Sequence, residues 1–177
     1  MPALKTRRWS SPGKIIKLHY ENKLHFKGSR PYEMHYLKDT LDNVLSILDF
    51  YSRQGTNDLN KLGLRNLFDT PKPVELIKYL IRIATDKKEE ALILDFFAGS
   101  GTLGQAVMEI NIEDKKNHLF YLVQLDEAVA KNTKQYEFAK KNSLKPTVDQ
   151  LMVHRLNVAK DKLHFDKEFT IVEVGTL

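Results

Sequence analysis

Residues 91–102 read ALILDFFAGSGT and carry the strongest fold signal in the sequence. The first seven of them are apolar except for one acid, which is typical of a strand buried on both faces of a parallel sheet. The two glycines within residues 98–101 predict a tight turn, and residues 102–110 then have the apolar spacing of a helix. A buried strand that turns directly into a helix predicts an α/β fold.

Segments on both sides of this stretch continue the alternation of helices and strands. We predict a helix over 73–85, a strand over 118–125, helices over 127–142 and 148–162, and a final strand over 168–174. The three strands would form a parallel sheet, although sheets usually contain about five or six strands. We therefore expect an incomplete sheet with an open edge.

The first 66 residues have a different pattern. A β-hairpin is predicted over residues 14–27, with its turn at Glu21-Asn22, because two short runs of β-branched and aromatic residues flank this pair. Apolar residues at helical spacing predict a helix over 41–53, and polar residues with two glycines predict a loop over 54–66. This region is therefore expected to be a hairpin and helical appendage to the α/β part.

The composition excludes several classes of protein. A chain of 177 residues fits one domain, or one domain with an appendage. The sequence has no cysteine, which excludes disulfides and thiolate zinc sites, and its six histidines show no spacing typical of a metal site. No apolar run is long enough to span a membrane, and the start lacks the apolar core of a secretory signal. We expect a cytoplasmic protein with no membrane partner.

Positive charge is concentrated at the start of the chain. The net charge is +5, but residues 1–38 contain nine basic and two acidic residues, whereas the remainder contains 19 basic and 21 acidic ones. Such a distribution is expected of a segment that contacts a polyanion, although a solvated tail would have the same composition.

The turn after the first strand of the α/β part is a candidate ligand site. Gly99 and Gly101 let the backbone approach a ligand, and the helix that follows presents unpaired N–H groups to it. Asp95, at the end of the strand, can accept a hydrogen bond from a cationic amine. These features suit S-adenosylmethionine, which carries an amino group and a sulfonium.

A dinucleotide is the competing ligand. Gly99, Gly101 and Gly104 match the spacing G-x-G-x-x-G, and Asp126 follows Gly104 by 22 residues, as in dinucleotide-binding folds. Asp95 favours the methyl donor, because an anion so close to the turn would repel a pyrophosphate. A third reading, in which the glycines serve only helix packing, stays open.

Three segments of the sequence resemble successive motifs of DNA adenine-N6 methyltransferases, and most of all the modification subunits of type III restriction-modification systems. They are residues 66–77 (NLFDTPKPVELI), 93–102 (ILDFFAGSGT) and 122–127 (LVQLDE). The resemblance implies a partial Rossmann-like sheet of an S-adenosylmethionine-dependent methyltransferase. It places the end of the target-recognition region and a connector in residues 1–66, and the cofactor-binding part in residues 67–177.

The resemblance also implies which residues surround S-adenosylmethionine. Thr70 and Lys72 would lie near its methionine end, and Gln124 occupies the place where relatives often have an acid for the ribose, a role that Asp126 could share. The implied cofactor-binding residues are Phe68, Asp69, Thr70, Lys72, Pro73, Asp95, Phe96, Phe97, Ala98, Gly99, Ser100, Gly101, Thr102, Gln124 and Asp126.

DNA is the partner that the resemblance and the basic N-terminus both suggest. Lys5, Arg7 and Arg8 would contact phosphates, and Trp9 would either stack on a base or sugar or pack on the appendage. A restriction subunit is a further partner that the resemblance suggests.

The D-P-P-Y motif that holds the target adenine in this family does not occur in the sequence, so we assign no catalytic residue. We expect the chain to need a complementing methyltransferase chain, or to self-associate. The alternative is an inactive remnant that binds cofactor or DNA without catalysis.

Overall fold

The computed structural model describes residues 10–34, 48–86 and 88–174. It divides the chain into two compact units, residues 1–46 and residues 47–177. No helix of the described residues is long and apolar enough to cross a membrane.

The described residues of the first unit, 10–34, contain one helix and a β-hairpin. Helix α1 (Pro12–Tyr20) precedes strands β1 (Leu24–Lys27) and β2 (Arg30–Glu33). The two strands are antiparallel, with Leu24 opposite Glu33 and Lys27 opposite Arg30. Gly28 occupies the connecting turn with a positive φ of 64°.

The predicted hairpin over residues 14–27 is wrong, because its first half is helical. The side chain of Ser11 accepts a hydrogen bond from the Lys14 N–H, and Pro12 follows it at the start of α1. This is a strong helix start, since a capping hydroxyl and a proline both suit the first turn. The β-branched residues by themselves favour a strand, but the capping serine and the proline outweigh this preference.

The second unit contains the predicted α/β alternation. Its elements are α2 (Arg53–Leu62), α3 (Val74–Thr85), β3 (Leu92–Asp95), α4 (Thr102–Glu113), β4 (Leu119–Leu122), α5 (Lys134–Lys141) and α6 (Val148–Leu163). Strands β3 and β4 pair in parallel, with Leu92 opposite Leu119 and Asp95 opposite Leu122. The predicted strand, turn, helix and second strand are thus confirmed, as are the predicted helices over 73–85 and 148–162.

Other boundaries within this unit differ from the prediction. Residues 48–52 are not helical, and the predicted loop over 54–66 contains α2 instead; residues 41–47 lie outside the described residues. Helix α2 is mostly polar, but Leu59 and Leu62 are buried on one side. The helix predicted over 127–142 begins only at Lys134, and residues 168–174 form no strand.

Helix α4 lies at the centre of the second unit. Ala106, Val107, Met108 and Ile110 are essentially inaccessible to solvent. Met108 belongs to a core cluster that includes residues of α2 and α6, whereas the other three pack with residues of α3 and β3. The element that follows the glycine turn is therefore held on several sides.

One face of the two-stranded sheet is open. Leu92 and Leu94 are 54% and 52% exposed, and their neighbours on β4, Leu119 and Tyr121, are each 61% exposed. Side chains alternate along a strand, so these four share one face, while Ile93 and Phe120 on the other face pack on the core. The prediction that both strands are buried on both faces is therefore wrong within the described residues.

Replacing Gly55 should destabilise the protein. An added Cβ would lie 2.0 Å from the carbonyl oxygen of Pro71, so Gly55→Ala must push α2 away from that segment. We expect a loss of about 1–3 kcal/mol in the free energy of unfolding, measured by urea denaturation followed by circular dichroism. Gly13→Ala is the matched control, because no atom lies within 4 Å of its added Cβ. Equal stability of Gly55→Ala and wild type would contradict this packing.

Candidate functional site

The loop between β3 and α4 is a tight turn built around two glycines. Gly99 and Gly101 have positive φ values of 52° and 71°, which favour glycine. The Gly101 N–H donates to the Ala98 carbonyl at 2.7 Å, and the Phe97 N–H donates to Oδ1 of Asp95 at 3.0 Å. The turn therefore places the first residues of α4 immediately beyond the end of β3.

The end of β4 is hydrogen-bonded to this loop. The Ala98 N–H donates to the Val123 carbonyl at 3.1 Å, and the Gly99 N–H donates to Oε1 of Gln124 at 2.7 Å. The Gln124 amide in turn donates to the Leu125 carbonyl at 3.3 Å. The structure thus joins the glycine turn and Gln124, which are 25 residues apart in the sequence.

The segment of residues 68–73 passes beside the same helix terminus. The Thr102 hydroxyl donates to the Lys72 carbonyl at 3.4 Å. The Val74 N–H, just after the segment, donates to Oδ2 of Asp58 on α2 at 3.0 Å. Pro71 and Pro73 are buried, whereas the side chains of Asp69, Thr70 and Lys72 are exposed. The segment is therefore fixed by α2 and α4, and its polar side chains face solvent.

A cleft of about 230 Å³ extends from this segment. Phe68 and Asp69 line one side, and Glu127, Val129 and Gln135 are among the residues that line the rest. Asp126 has a side chain that is 80% exposed and lies 3.6 Å from the Lys145 amine. It is not among the lining residues of the cleft.

Arg155 on α6 is a functional candidate that sequence reasoning missed. Its side chain is fully buried, and its Nη1 donates to the Ser100 carbonyl at 3.1 Å and to the hydroxyls of Ser100 and Thr102 at 2.9 Å. Its Nε and Nη2 both donate to Oε1 of Gln105, at 3.2 and 2.9 Å. One signal could have found it: Arg155 interrupts the apolar stripe of a helix, in which Leu151 and Leu156 are its buried neighbours.

The charge of Arg155 survives its burial. Burial lowers the pKa of the Arg155 guanidinium to about 10, although the attraction of Asp58 and Glu109 opposes this shift. The group therefore stays protonated at neutral pH and places a positive charge behind the loop. The Ser100 carbonyl and the hydroxyls of Ser100 and Thr102 accept from Arg155, so it is the backbone N–H groups of these two residues that remain for contact with a ligand.

The aromatic residues of the loop point away from the core. Phe96 is 64% exposed and Phe97 is 91% exposed. Ala98, the next residue, is buried in the first core cluster. The predicted DNA-binding residues Lys5, Arg7, Arg8 and Trp9 lie outside the described residues.

A second buried cation fixes α3 against α4. The Lys78 amine contacts Glu113 at 2.6 Å, Glu75 at 2.8 Å and Glu109 at 3.2 Å. Burial alone would lower the pKa of Lys78, but these three hydrogen bonds raise it well above its usual value. Arg82 extends the network with hydrogen bonds to Glu113 and Asp114. The network stabilises α4, the helix that follows the glycine loop, and Glu109 connects it to Gln105, whose amide donates to Glu109 at 3.0 Å.

Comparisons with known proteins give a consistent picture. The model of a family described as DNA methylase matches residues 4–135. The chain is 37% identical over 134 residues to the StyLTI Mod subunit, a type III restriction-modification enzyme of Salmonella typhimurium, which covers 76% of this chain and 19% of that protein. It is 33% identical over 141 residues to the EcoP15I Mod subunit of Escherichia coli, covering 78% of this chain and 21% of the relative.

A third relative is the EcoPI Mod subunit of Escherichia phage P1, which is 40% identical over 88 residues. That match covers 50% of this chain and 13% of the relative. The chain thus spans about a fifth of the length of these three relatives, or less.

Acid should weaken the contact between α3 and α4. The hydrogen bonds of Arg82 lower the pKa of Asp114, and those of Lys78 and Arg82 lower the pKa of Glu113 although burial opposes this. Their contribution to stability is therefore present above the ordinary values of 3.8 and 4.5 and is lost as the pH falls through the lowered values. Urea unfolding between about pH 7 and pH 3 should show this loss.

The substitution Lys78→Met tests whether this network causes the loss of stability in acid. At neutral pH we expect the variant to lose about 2 kcal/mol in the free energy of unfolding. This is less than the roughly 3–5 kcal/mol for breaking a fully buried pair, because Glu75 and Glu113 stay partly hydrated. Its difference from wild type should shrink toward acid pH. Lys61→Met, which removes a largely exposed lysine from its pair with Asp58, is the control and should change little. A difference that stays constant with pH would contradict the assignment.

Proposed function

Because the chain belongs to the DNA methylase family, we propose that residues 67–177 form the S-adenosylmethionine-binding part of a DNA adenine-N6 methyltransferase of the type III modification kind. One observation carries this proposal. The loop after Asp95 is hydrogen-bonded to Gln124 at the end of the neighbouring parallel strand. Open α/β sheets bind their ligands at the carboxyl ends of the strands.

The residues at this strand end suit the chemistry of the methyl donor. Asp95 uses Oδ1 to accept from the Phe97 N–H, and its second oxygen is an acceptor for the cofactor's ammonium group. The first N–H groups of α4 have no acceptor within the helix and are donors for its carboxylate. The cleft lined by Phe68 and Asp69 is the proposed place for the nucleoside end of the cofactor. Arg155 and Asp95 thus place opposite charges on two sides of the loop.

The ribose contact is proposed for the end of β4. Oε1 of Gln124 accepts a hydrogen bond from the Gly99 N–H. The Gln124 amide therefore offers a ligand hydrogen-bond donors rather than acceptors. Asp126 lies at the surface near Lys145, whereas Glu127 lines the cleft. We therefore propose Glu127 beside Asp126 as a candidate acceptor for the ribose hydroxyls, and Gln124 as a donor to them.

In this proposal the chain binds and orients the cofactor. When bound, S-adenosylmethionine would supply an electrophilic methyl group: the methyl–sulfur bond would break as adenine N6 forms the C–N bond, releasing S-adenosylhomocysteine and a proton. The loop and the segment of residues 68–73 hold the cofactor in one orientation, and such alignment is a large part of catalysis in transfer reactions. Asp95 sets the charge of the site, and the exposed rings of Phe96 and Phe97 lie at its rim.

The target adenine needs a D-P-P-Y segment, which the printed sequence does not contain. We propose that another segment, in the same or a different polypeptide, supplies it and packs on the open sheet face of Leu92, Leu94, Leu119 and Tyr121. Parallel sheets are almost always covered on both faces, which supports this arrangement.

DNA and a restriction subunit remain the proposed partners. The basic N-terminus, with Lys5, Arg7, Arg8 and Trp9, is the proposed DNA contact, and residues 1–66 are the proposed end of the recognition region and connector. An inactive remnant is the alternative that a transfer assay separates from this function.

Asp95→Asn should weaken binding of S-adenosylmethionine. The asparagine keeps the oxygen that accepts from the Phe97 N–H but removes the negative charge, so the turn is preserved. We expect an increase of about tenfold or more in Kd, measured by calorimetry. Asp161→Asn, an exposed site on α6, is the matched control and should leave Kd unchanged.

The same calorimetric titration distinguishes a site for S-adenosylmethionine from a site for a dinucleotide. A nicotinamide dinucleotide should not saturate the site. Gly104, the third glycine of the dinucleotide pattern, is explained by packing, because an added Cβ would lie 2.7 Å from Leu156 and 3.1 Å from Leu122. Saturable binding of the dinucleotide, or an unchanged Kd for Asp95→Asn, would overturn the proposal.

Transfer of a labelled methyl group to adenine in DNA should require a second polypeptide. We expect none with this chain alone and transfer when a Mod-subunit fragment that carries D-P-P-Y but lacks the part corresponding to residues 67–177 is added. Leu119→Glu, on the open sheet face, should abolish the effect of that addition without changing the Kd for the cofactor. Ile112→Glu is the control, because Ile112 is a comparably exposed apolar residue of α4. Transfer by this chain alone would contradict the need for a complement.

A further inference from the structure

We propose that Arg155 is a positioning residue for the cofactor loop: from α6 it holds Ser100 and Thr102 in the conformation that the ligand site requires. This inference rests on the proposed function and adds to it a residue 55 positions away from Ser100. Arg155 does not belong to any of the three segments that resemble methyltransferase motifs.

One nitrogen of Arg155 bridges the loop and the helix. Nη1 contacts the carbonyl oxygen of Ser100, which lies in the loop, at 3.1 Å. The same nitrogen contacts the hydroxyl of Thr102, the first residue of α4, at 2.9 Å. Any change in the angle between loop and helix would therefore lengthen at least one of these bonds.

The other two nitrogens fix the orientation of the guanidinium. Nε and Nη2 both contact Oε1 of Gln105, which lies one turn further along α4. Gln105 is held in turn, because its amide donates to Glu109 at 3.0 Å. The planar group is thus anchored at both ends, and a lysine could not reproduce this fork.

A buried cation at this position would be energetically unfavourable if the residue served only for packing. Every hydrogen bond of Arg155 goes to a neutral oxygen, although Asp58 and Glu109 attract it electrostatically. Removing a charge from water without a bonded counter-ion is unfavourable, and an apolar side chain would fill the same space. What the arginine adds is a set of directed bonds to the loop and a positive charge behind it.

Helix α6 contacts the loop a second time. An added Cβ on Gly101 would lie 2.7 Å from Cγ of Met152, which precedes Arg155 by one turn. Helix α6 therefore bounds the loop by close packing at Gly101 and by hydrogen bonds at Ser100 and Thr102. The loop conformation depends on this helix as well as on the strand and helix it connects.

Arg155→Met in the 177-residue protein tests the inference, because methionine fills much of the space without donors or charge. The first measurement is amide hydrogen exchange of the peptide covering residues 98–102, without ligand. We expect exchange about tenfold faster than in wild type, beyond the change in the rest of α4. The second is the Kd for S-adenosylmethionine, which we expect to rise about tenfold or more.

Arg82→Met is the matched control, because it removes another cation of the same unit, which bonds Glu113 and Asp114 near the end of α4 and not the loop, Gln105 or Glu109. It should lower global stability without selectively loosening residues 98–102. Arg155→Lys, which keeps the charge but not the fork, should give intermediate values for both measurements.

The outcomes separate this inference from the proposed function. If Arg155→Met loosens the loop no more than Arg82→Met does, or leaves the Kd of a binding-competent protein unchanged, the positioning role is overturned. If the wild-type chain does not bind S-adenosylmethionine, the proposed function fails for this chain, and the exchange comparison still decides whether Arg155 holds the loop.

Discussion

The close approach of α4 to β4 and α6 is the constraint on which the rest of the unit depends. At Gly104 the helix leaves no room for a side chain, since an added Cβ would lie within 3.1 Å of both Leu122 and Leu156. This contact sets the distances among the helix, the sheet and α6. Those distances in turn let Gln124 reach the Gly99 N–H from one side and Arg155 reach Ser100 from the other.

The sequence predicts those parts of the fold whose signals are local. The signals for strands β3 and β4, for the glycine turn between β3 and α4, and for the helix over 73–85 are each contained in a short window, and these elements are confirmed. Helix α2 has only Leu59 and Leu62 as its buried apolar residues, so its pattern is too weak to predict from sequence. The open sheet face could not be predicted either, because an apolar strand does not specify what covers it.

The candidate site likewise has residues that the sequence predicts and residues that it does not. The glycine turn, Asp95 and Gln124 are predictable, because each stands at the end of a recognisable strand or at the turn that follows it. Arg155 is not, because its partners Ser100 and Thr102 lie 55 and 53 residues earlier in the chain. Lys78 poses a similar problem, since two of the three carboxylates around it, Glu109 and Glu113, come from α4. Long-range pairs of this kind depend on packing that no short window records.

The contact between α6 and the loop also has a consequence for folding. Strand β3, α4 and β4 are consecutive in the chain, and their contacts close short loops, which form fast. The bonds from Arg155 close a segment of more than fifty residues and form only when α6 has docked. The short-range contacts of β3, α4 and β4 therefore favour their association before α6 docks. Docking of α6 then completes the hydrogen bonds of the glycine loop.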